Sequence, residues 1–379
     1  MRMFLFIMLL FASTIANAKV MPSLMYDDCN SGKIDRVKPW VDKGFVNTVR
    51  LGNTCLILSA YKDHTDLGIY LLKSGADVNL FGPYDGVPAL AIATYRNNYQ
   101  LIEAMLQHGG DAWIEYRYSP PWTLFVKNDD VRALEIYLSN GWDPASRLDS
   151  VNPLEFAARR NALKVAKELS KNESLLNGTV TFNGYSVLSS APLAGAIESR
   201  NSQMAHLLLQ AGAVPNSVSF KSRAYNEMYA NTVLGAAAQR GMTDVTRALI
   251  QAGAYVNIPE KTQDIYYYLE NPLCSAAVGS ALNNSEVSLT IKLLLQAKAN
   301  IEVCRSPWNQ QPIYIPTPLY RAISWGMENV IALVEGGADV NAVWQVPDDY
   351  YKVTWTPLSF AIAHEIHDVA EYLKLHGAK

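Results

Sequence analysis

His364-Glu-Ile-His367, with His376 close behind, is the cluster in this sequence that comes nearest to a metal site. Two histidines at i, i+3 on a helix can bind zinc, but the metalloprotease pattern is His-Glu-x-x-His, and here the second His comes one residue early. The four cysteines, Cys29, Cys55, Cys274 and Cys304, form no Cys-x-x-Cys, so the usual zinc and dithiol-redox spacings gain no support. There is no Gly-rich phosphate loop and no Gly-x-Ser-x-Gly elbow, and the acidic residues are scattered. Asn172-Glu-Ser, Asn177-Gly-Thr and Asn283-Asn-Ser match glycosylation sequons, which matter only in a eukaryotic secretory pathway. These residues carry no constellation for catalysis, no metal site and no cofactor site. The expectation is a protein that is not an enzyme.

The ends and the bulk composition set the compartment. Met1-Arg2 is a short positive start, Phe4 to Ala12 is apolar, and Ala16-Asn17-Ala18 offers small residues where a signal peptidase reads. Residues 1–18 are therefore expected to be a cleavable signal peptide and 19–379 a single soluble array, exported to the periplasm. No second apolar stretch of spanning length follows, so membrane insertion after cleavage is not expected. A net charge of −3 gives no basic footprint for nucleic acid. An even cysteine count in an exported chain permits disulfides. Proximity favours Cys29–Cys55 and Cys274–Cys304 over the crossed pairings, with buried free thiols as the alternative.

The elements that position these residues recur. Thr54-Cys-Leu56, Pro88-Ala-Leu90, Trp122-Thr-Leu124, Asn152-Pro-Leu154, Ala191-Pro-Leu193, Thr232-Val-Leu234, Asn271-Pro-Leu273, Thr317-Pro-Leu319 and Thr356-Pro-Leu358 each open a short apolar helix. Most are followed, after a second apolar-striped segment, by a stop such as Gly75-Ala-Asp-Val-Asn79, Gly212-Ala, Gly253-Ala-Tyr-Val-Asn257 or Gly337-Ala-Asp-Val-Asn341. A fixed period of this kind marks stacked helix pairs, with Gly as the left-handed cap and Asp or Asn in the turn beyond it.

The motif resembles the ankyrin repeat, Thr-Pro-Leu-His-x-Ala followed by Leu-Leu-x-x-Gly-Ala-Asp-Val-Asn, from about Met25 to Ala378. The implied fold is an all-α solenoid of about ten helix-turn-helix units. The family's His after the Leu is missing throughout; Ile57, Ala91, Phe125, Glu155, Ala194, Gly235, Cys274, Tyr320 and Ser359 stand there, so its hydrogen-bond network must be replaced or absent. The Lys164–Asn177 region lacks a Gly-Ala stop, and extra residues around Gly279–Asn284 read as a longer loop between two helices.

Spacing between Leu anchors grows along the chain, and most added residues fall where the family places its β-hairpin fingers. They are rich in aromatics, as in Lys221–Tyr229, Lys261–Tyr268, Pro307–Tyr314 and Val346–Trp355. Tyr and Trp bring large area at low entropy cost, so long aromatic fingers read as a protein-binding comb. The partner-binding candidates are Arg223, Tyr225, Tyr229, Tyr266, Tyr267, Tyr268, Trp308, Tyr314, Asp348, Tyr350, Tyr351 and Trp355. In the competing account these rings only stiffen the array. The expected partner is one protein, bound by a monomer. Exported bacterial ankyrin proteins similar in layout include immunity proteins against phospholipase effectors of type VI secretion, and periplasmic proteins supporting catalase and oxidative-stress defence. A structural scaffold is the third alternative.

Overall fold

Helix after helix is short, and the helices come in pairs. The computed structural model describes residues 20–82, 86–116, 119–148, 151–182, 185–189, 191–222, 228–258, 270–279, 284–302, 304, 317–345 and 354–379. The expected signal peptide lies outside them. Two compact bodies divide the chain, one up to Ser146 and one from Arg147.

The N-terminal body pairs α1 (Ser23–Ser31) with α2 (Ile34–Asp42), α3 (Cys55–Tyr61) with α4 (Thr65–Lys73), α5 (Ala89–Tyr95) with α6 (Tyr99–Gln107), and α7 (Trp122–Lys127) with α8 (Val131–Ser139). In the C-terminal body, α9 (Pro153–Arg160) and α10 (Leu163–Leu169) are followed by a one-turn helix α11 (Glu173–Leu176) and the hairpin β1 (Gly178–Phe182)–β2 (Tyr185–Ser189). Then come α12 (Ala191–Glu198) and α13 (Ser202–Gln210), the hairpin β3 (Val218–Ser222)–β4 (Met228–Thr232), and α14 (Val233–Gln239) with α15 (Thr243–Gln251). The body ends with α16 (Pro272–Ala277) and α17 (Asn284–Gln296), α18 (Pro318–Ala322) and α19 (Met327–Glu335), the short hairpin β5 (Trp344–Gln345)–β6 (Thr354–Trp355), and α20 (Pro357–Ala363) with α21 (His367–Leu375).

First helices are buried along most of their length because their side chains are small: Val233 to Ala238 and Pro192 to Ile197 are buried without a break. Second helices bury one stripe, as Val245, Thr246 and Leu249 do on α15. The hydroxyls of the motif Thr at Thr54, Thr232, Thr317 and Thr356 accept the N–H of Ile57, Gly235, Tyr320 and Ser359, capping those four first helices locally.

A left-handed residue turns most first helices into the second: Asp63, Asn97, Asn161, Arg200 and Glu365 each stand seven residues past the anchor Leu. In the fourth pair that residue is Asp129, which places Trp122 at the anchor, not Leu124. Trp122 is fully buried and Leu124 only half-buried. Two more tryptophans replace small motif residues nearby, Trp113 at the Asn position of the turn and Trp142 at the Ala after the cap. The three rings meet at 5.6 to 6.0 Å between centroids, so each enlarged side chain fills space that the other two define. Phe125 and the buried Tyr137 close the cluster, and the Tyr137 hydroxyl lies 2.7 Å from Thr94 Oγ1.

Turns after the second helices lock to one another. The Asp of the motif accepts the N–H two residues on, as Asp77 does from Asn79 and Asp339 from Asn341. The Asn then bridges to the next turn. Asn79 Nδ2 donates to the Gly109 carbonyl at 2.9 Å while its Oδ1 accepts the Asp111 N–H at 2.8 Å. The same double bond is made by Asn47 to Gly75 and Asp77, Asn177 to Gly212 and Val214, Asn216 to Gly253 and Tyr255, and Asn341 to Gly377 and Lys379. Asn177 shows how the fifth pair manages without a Gly-Ala stop: α11 stands in for the turn and delivers the bridging Asn. In the eighth pair, α17 has 13 residues where α13 and α15 have 9, so part of the expected loop is an extra helical turn beginning at Asn284.

Cys29 is joined to Cys55, and Cys274 to Cys304; all four are fully buried. The first bridge ties α1 to α3, and the second ties α16 to the turn beyond α17.

Candidate functional site

The first helices and finger bases of the C-terminal body carry a row of polar and aromatic side chains. It begins with Arg159 on α9, whose Nε and Nη1 donate to Glu155 at 2.9 Å and to Glu198 of α12 at 2.7 Å. Further along, Ser275 Oγ on α16 lies 3.1 Å from both Asn231 Oδ1 at the end of β4 and Glu270 Oε2. The other oxygen of Glu270 accepts from Arg321 on α18. A Cβ on Gly235 would fall 2.5 Å from Asn231 Oδ1, so a larger residue here would displace that amide. Burial pushes the Glu270 carboxyl above its ordinary range, while Arg321 and Ser275 pull it partly back. Three successive repeats are thus tied by one chain of polar contacts.

Aromatic rings continue the face. Tyr320, directly after the anchor Leu319, has its ring 4.2 Å from Trp344 and 4.5 Å from Phe360. Phe360 in turn meets Trp355 edge-on at 5.8 Å and lies 3.9 Å from His364. Trp344 and Trp355 are opposite one another in the β5–β6 pair. Tyr320, Trp344, Trp355 and Phe360 are all half-buried, packed on one another yet still open on one side. Burial raises the Tyr320 hydroxyl well above its usual range, so it stays a neutral donor.

Of the twelve residues proposed from the sequence, this face contains Trp355. Tyr229 lies in β4 opposite Lys221. Arg223, Tyr225, Tyr266, Tyr267, Tyr268, Trp308, Tyr314, Asp348, Tyr350 and Tyr351 fall outside the described residues. The face also contains residues that sequence reasoning passed over: Asn231, Glu270, Ser275, Arg321, Trp344 and Phe360. One signal was present for its aromatic part, namely Tyr320 at the position where the motif carries His.

The second-helix face of the same body offers different chemistry. Asp244 bridges His206 Nε2 at 3.2 Å and Ser202 Oγ at 3.1 Å, beside a groove of about 480 Å³ that Arg247 also lines. Desolvation alone would raise the Asp244 carboxyl; the Val245 N–H, His206 and Ser202 together hold it below the ordinary range. The carboxylate sits between the Ser and the His, so this is a lock between α13 and α15 and not a nucleophile–base pair. Among the described residues no group of three or more His, Cys, Asp or Glu is placed to hold a metal ion. No helix among them is long and apolar enough to cross a membrane.

With this geometry in view, the comparison with known families is decisive for one stretch. Residues 24–115 match the family model for ankyrin repeats, in three copies. The match covers the pairs α1–α2, α3–α4 and α5–α6, and the Asn79 bridge within it has the same geometry as the bridges made by Asn177, Asn216, Asn257 and Asn341 further on. No curated protein matches the chain. Ankyrin repeats mark a protein-interaction module.

Proposed function

We propose that this chain is a periplasmic immunity protein, binding a secreted antibacterial effector of the phospholipase or lipase class and closing its active site with the hairpin fingers and the first-helix face. The observation that carries this reading is the aromatic base formed by Tyr320, Trp344, Trp355 and Phe360. Rings already packed on one another lose little freedom on binding, so their open sides serve as preorganised anchors in a partner's cleft. Four cysteines closed in two buried disulfides suit an oxidising compartment, which supports export. Several adjacent hairpins can assemble a standard interface of about 1,600 Å².

The test is protection. Cells deleted for this chain are grown in contact with kin that carry an active secretion system, and survival is scored after complementation with the full chain or with 19–379 alone. The proposal expects death of the deletion strain and rescue by the full chain only. Equal survival with and without the chain would remove the immunity role, and peroxide sensitivity appearing instead would favour the oxidative-stress alternative.

A further inference from the structure

The fifth pair, whose sequence lacks a Gly-Ala stop, leaves a gap on the second-helix face. α10 has seven residues where α13 and α15 have nine, and the chain leaves its axis at Ser170 to enter α11. The last turn of α13 therefore lacks a matching last turn on α10. A groove of about 660 Å³ lies between the two helices, with Ser170 among its lining residues. That volume falls within the range of roughly 300–1,000 Å³ that small-molecule sites occupy. The neighbouring groove, between α13 and α15, is instead crossed by the Asp244 bridges to His206 and Ser202.

The lining combines two chemistries. On α10, Lys164 and Lys167 stand three residues apart, which puts both ammonium groups on one side of the helix. On α13, Gln203, His206 and Gln210 follow one another at helical spacing and supply amides and an imidazole. The His206 ring lines both grooves and is held from the α15 side by Asp244. Among the described residues no Asp or Glu lines the α10–α13 groove, and Glu168, the carboxylate of α10, is paired with Lys171. Apolar surface lies beside these cations. Leu163 and Leu207 are only half-buried and Ala211 is exposed, so a hydrocarbon strip stays open to solvent along the groove. Two cations beside an open apolar strip match a molecule that carries both an anion and a hydrocarbon chain. An inorganic anion would leave the leucines wet, and an uncharged chain would draw nothing from the ammonium groups.

We propose that the α10–α13 groove binds a single-chain anionic amphiphile, a long-chain carboxylate or monoalkyl phosphate, with its head between Lys164 and Lys167 and its chain over Leu163, Leu207 and Ala211. The site is independent of the immunity role and of the aromatic row around Phe360.

The experiment titrates residues 19–379 calorimetrically with submicellar dodecanoate, dodecyl phosphate, dodecyltrimethylammonium and acetate. Leaving out residues 1–18 keeps their apolar run from competing for the alkyl chain. Two groove variants are compared with the native protein: Lys164→Gln with Lys167→Gln, and Ala211→Trp, which fills the groove from an exposed position. Lys62→Gln with Lys73→Gln removes the same charge from exposed sites in the N-terminal body. Thermal unfolding checks that each variant folds, and should one groove variant unfold, the other decides. The expected result is one dodecanoate per chain, weakened about tenfold or more by either groove change and unaltered by the control pair. Acetate and dodecyltrimethylammonium should not bind. Tighter binding of dodecyl phosphate would identify a phosphate head as the natural ligand, and tighter binding of dodecanoate a carboxylate. No dodecanoate binding, undiminished affinity in a folded groove variant, or equal binding of dodecyltrimethylammonium would overturn the site. Binding of an acidic peptide in place of dodecanoate would also overturn it, in favour of a protein segment.

Discussion

The side chain of Asn257 closes on the following turn at two points: its Nδ2 donates to the Lys298 carbonyl at 2.8 Å and its Oδ1 accepts the Asn300 N–H at 2.7 Å. One amide thereby satisfies a helix-end carbonyl and a turn N–H that sequence places far away. Each such bond contributes about 0.5–1.5 kcal/mol net. Asn257→Ala should therefore cost about 1–2 kcal/mol, read as a lower urea midpoint with an unchanged slope. Asn257→Asp keeps the acceptor and loses the donor, so it should fall between. At the next turn Glu302 accepts from the Asp339 N–H at 2.9 Å but, as a carboxylate, donates nothing. Glu302→Asn should gain stability.

Lys298 occupies the cap position that glycine holds after most of the other second helices, and it does so at φ 68°. The left-handed conformation costs a non-glycine residue about 1–2 kcal/mol. Lys298→Gly should raise the melting temperature by several degrees. Gly253→Ala, at φ 89°, should lower it by a similar amount. Equal and opposite shifts would establish that the cap conformation, not side-chain contact, sets the effect.

These two positions also mark what was legible in the sequence. Leu anchors and Gly stops were readable because each is a short-range signal: a buried side chain at fixed spacing, or a φ that glycine tolerates best. Where chemistry was replaced, reading failed. Trp122 hides the anchor of the fourth pair, because Leu124, two residues on, supplies the Leu that the motif leads one to expect. Lys298 hid a stop, and the Lys164–Asn177 region gave no sign that a one-turn helix would present Asn177 in register. The polar chain Asn231–Ser275–Glu270–Arg321 was illegible because its members come from different repeats and meet only after stacking. Most finger aromatics were visible as composition, but they fall outside the described residues.

Glu270 gives a pH signature. Its carboxyl is raised in the folded chain, first by burial, so the folded state binds a proton more readily than the unfolded one. Stability linked to this group is present at acid pH and declines as pH rises from about 4.5 through the folded value. Glu270→Gln should flatten that decline in denaturant midpoints measured from pH 4 to 7. Removing the partner instead, Arg321→Met, should steepen it, because the half-buried carboxylate loses its compensating charge.

Both disulfides close loops of similar length, with sequence separations of 26 and 30. Chain-entropy reasoning assigns each about 3.5 kcal/mol. Replacing Cys29 and Cys55 together by Ala should lower stability by an amount of that order, measured by equilibrium unfolding. Since all four sulfurs are buried, reduction by dithiothreitol should be slow in native buffer and fast in urea.

The central claim is that the fingers and the aromatic base grip one toxic enzyme. The most direct measurement captures protein from source-cell extract with residues 19–379, in parallel with a bait carrying Tyr267→Ala, Trp308→Ala, Tyr351→Ala and Trp355→Ala. Whatever is retained is identified by mass spectrometry and assayed for hydrolase activity with and without the chain. The account predicts a secreted lipase or related hydrolase, held by the native bait alone and inhibited at one-to-one stoichiometry. The same partner on both baits, or a catalase, or no hydrolase at all, would contradict it.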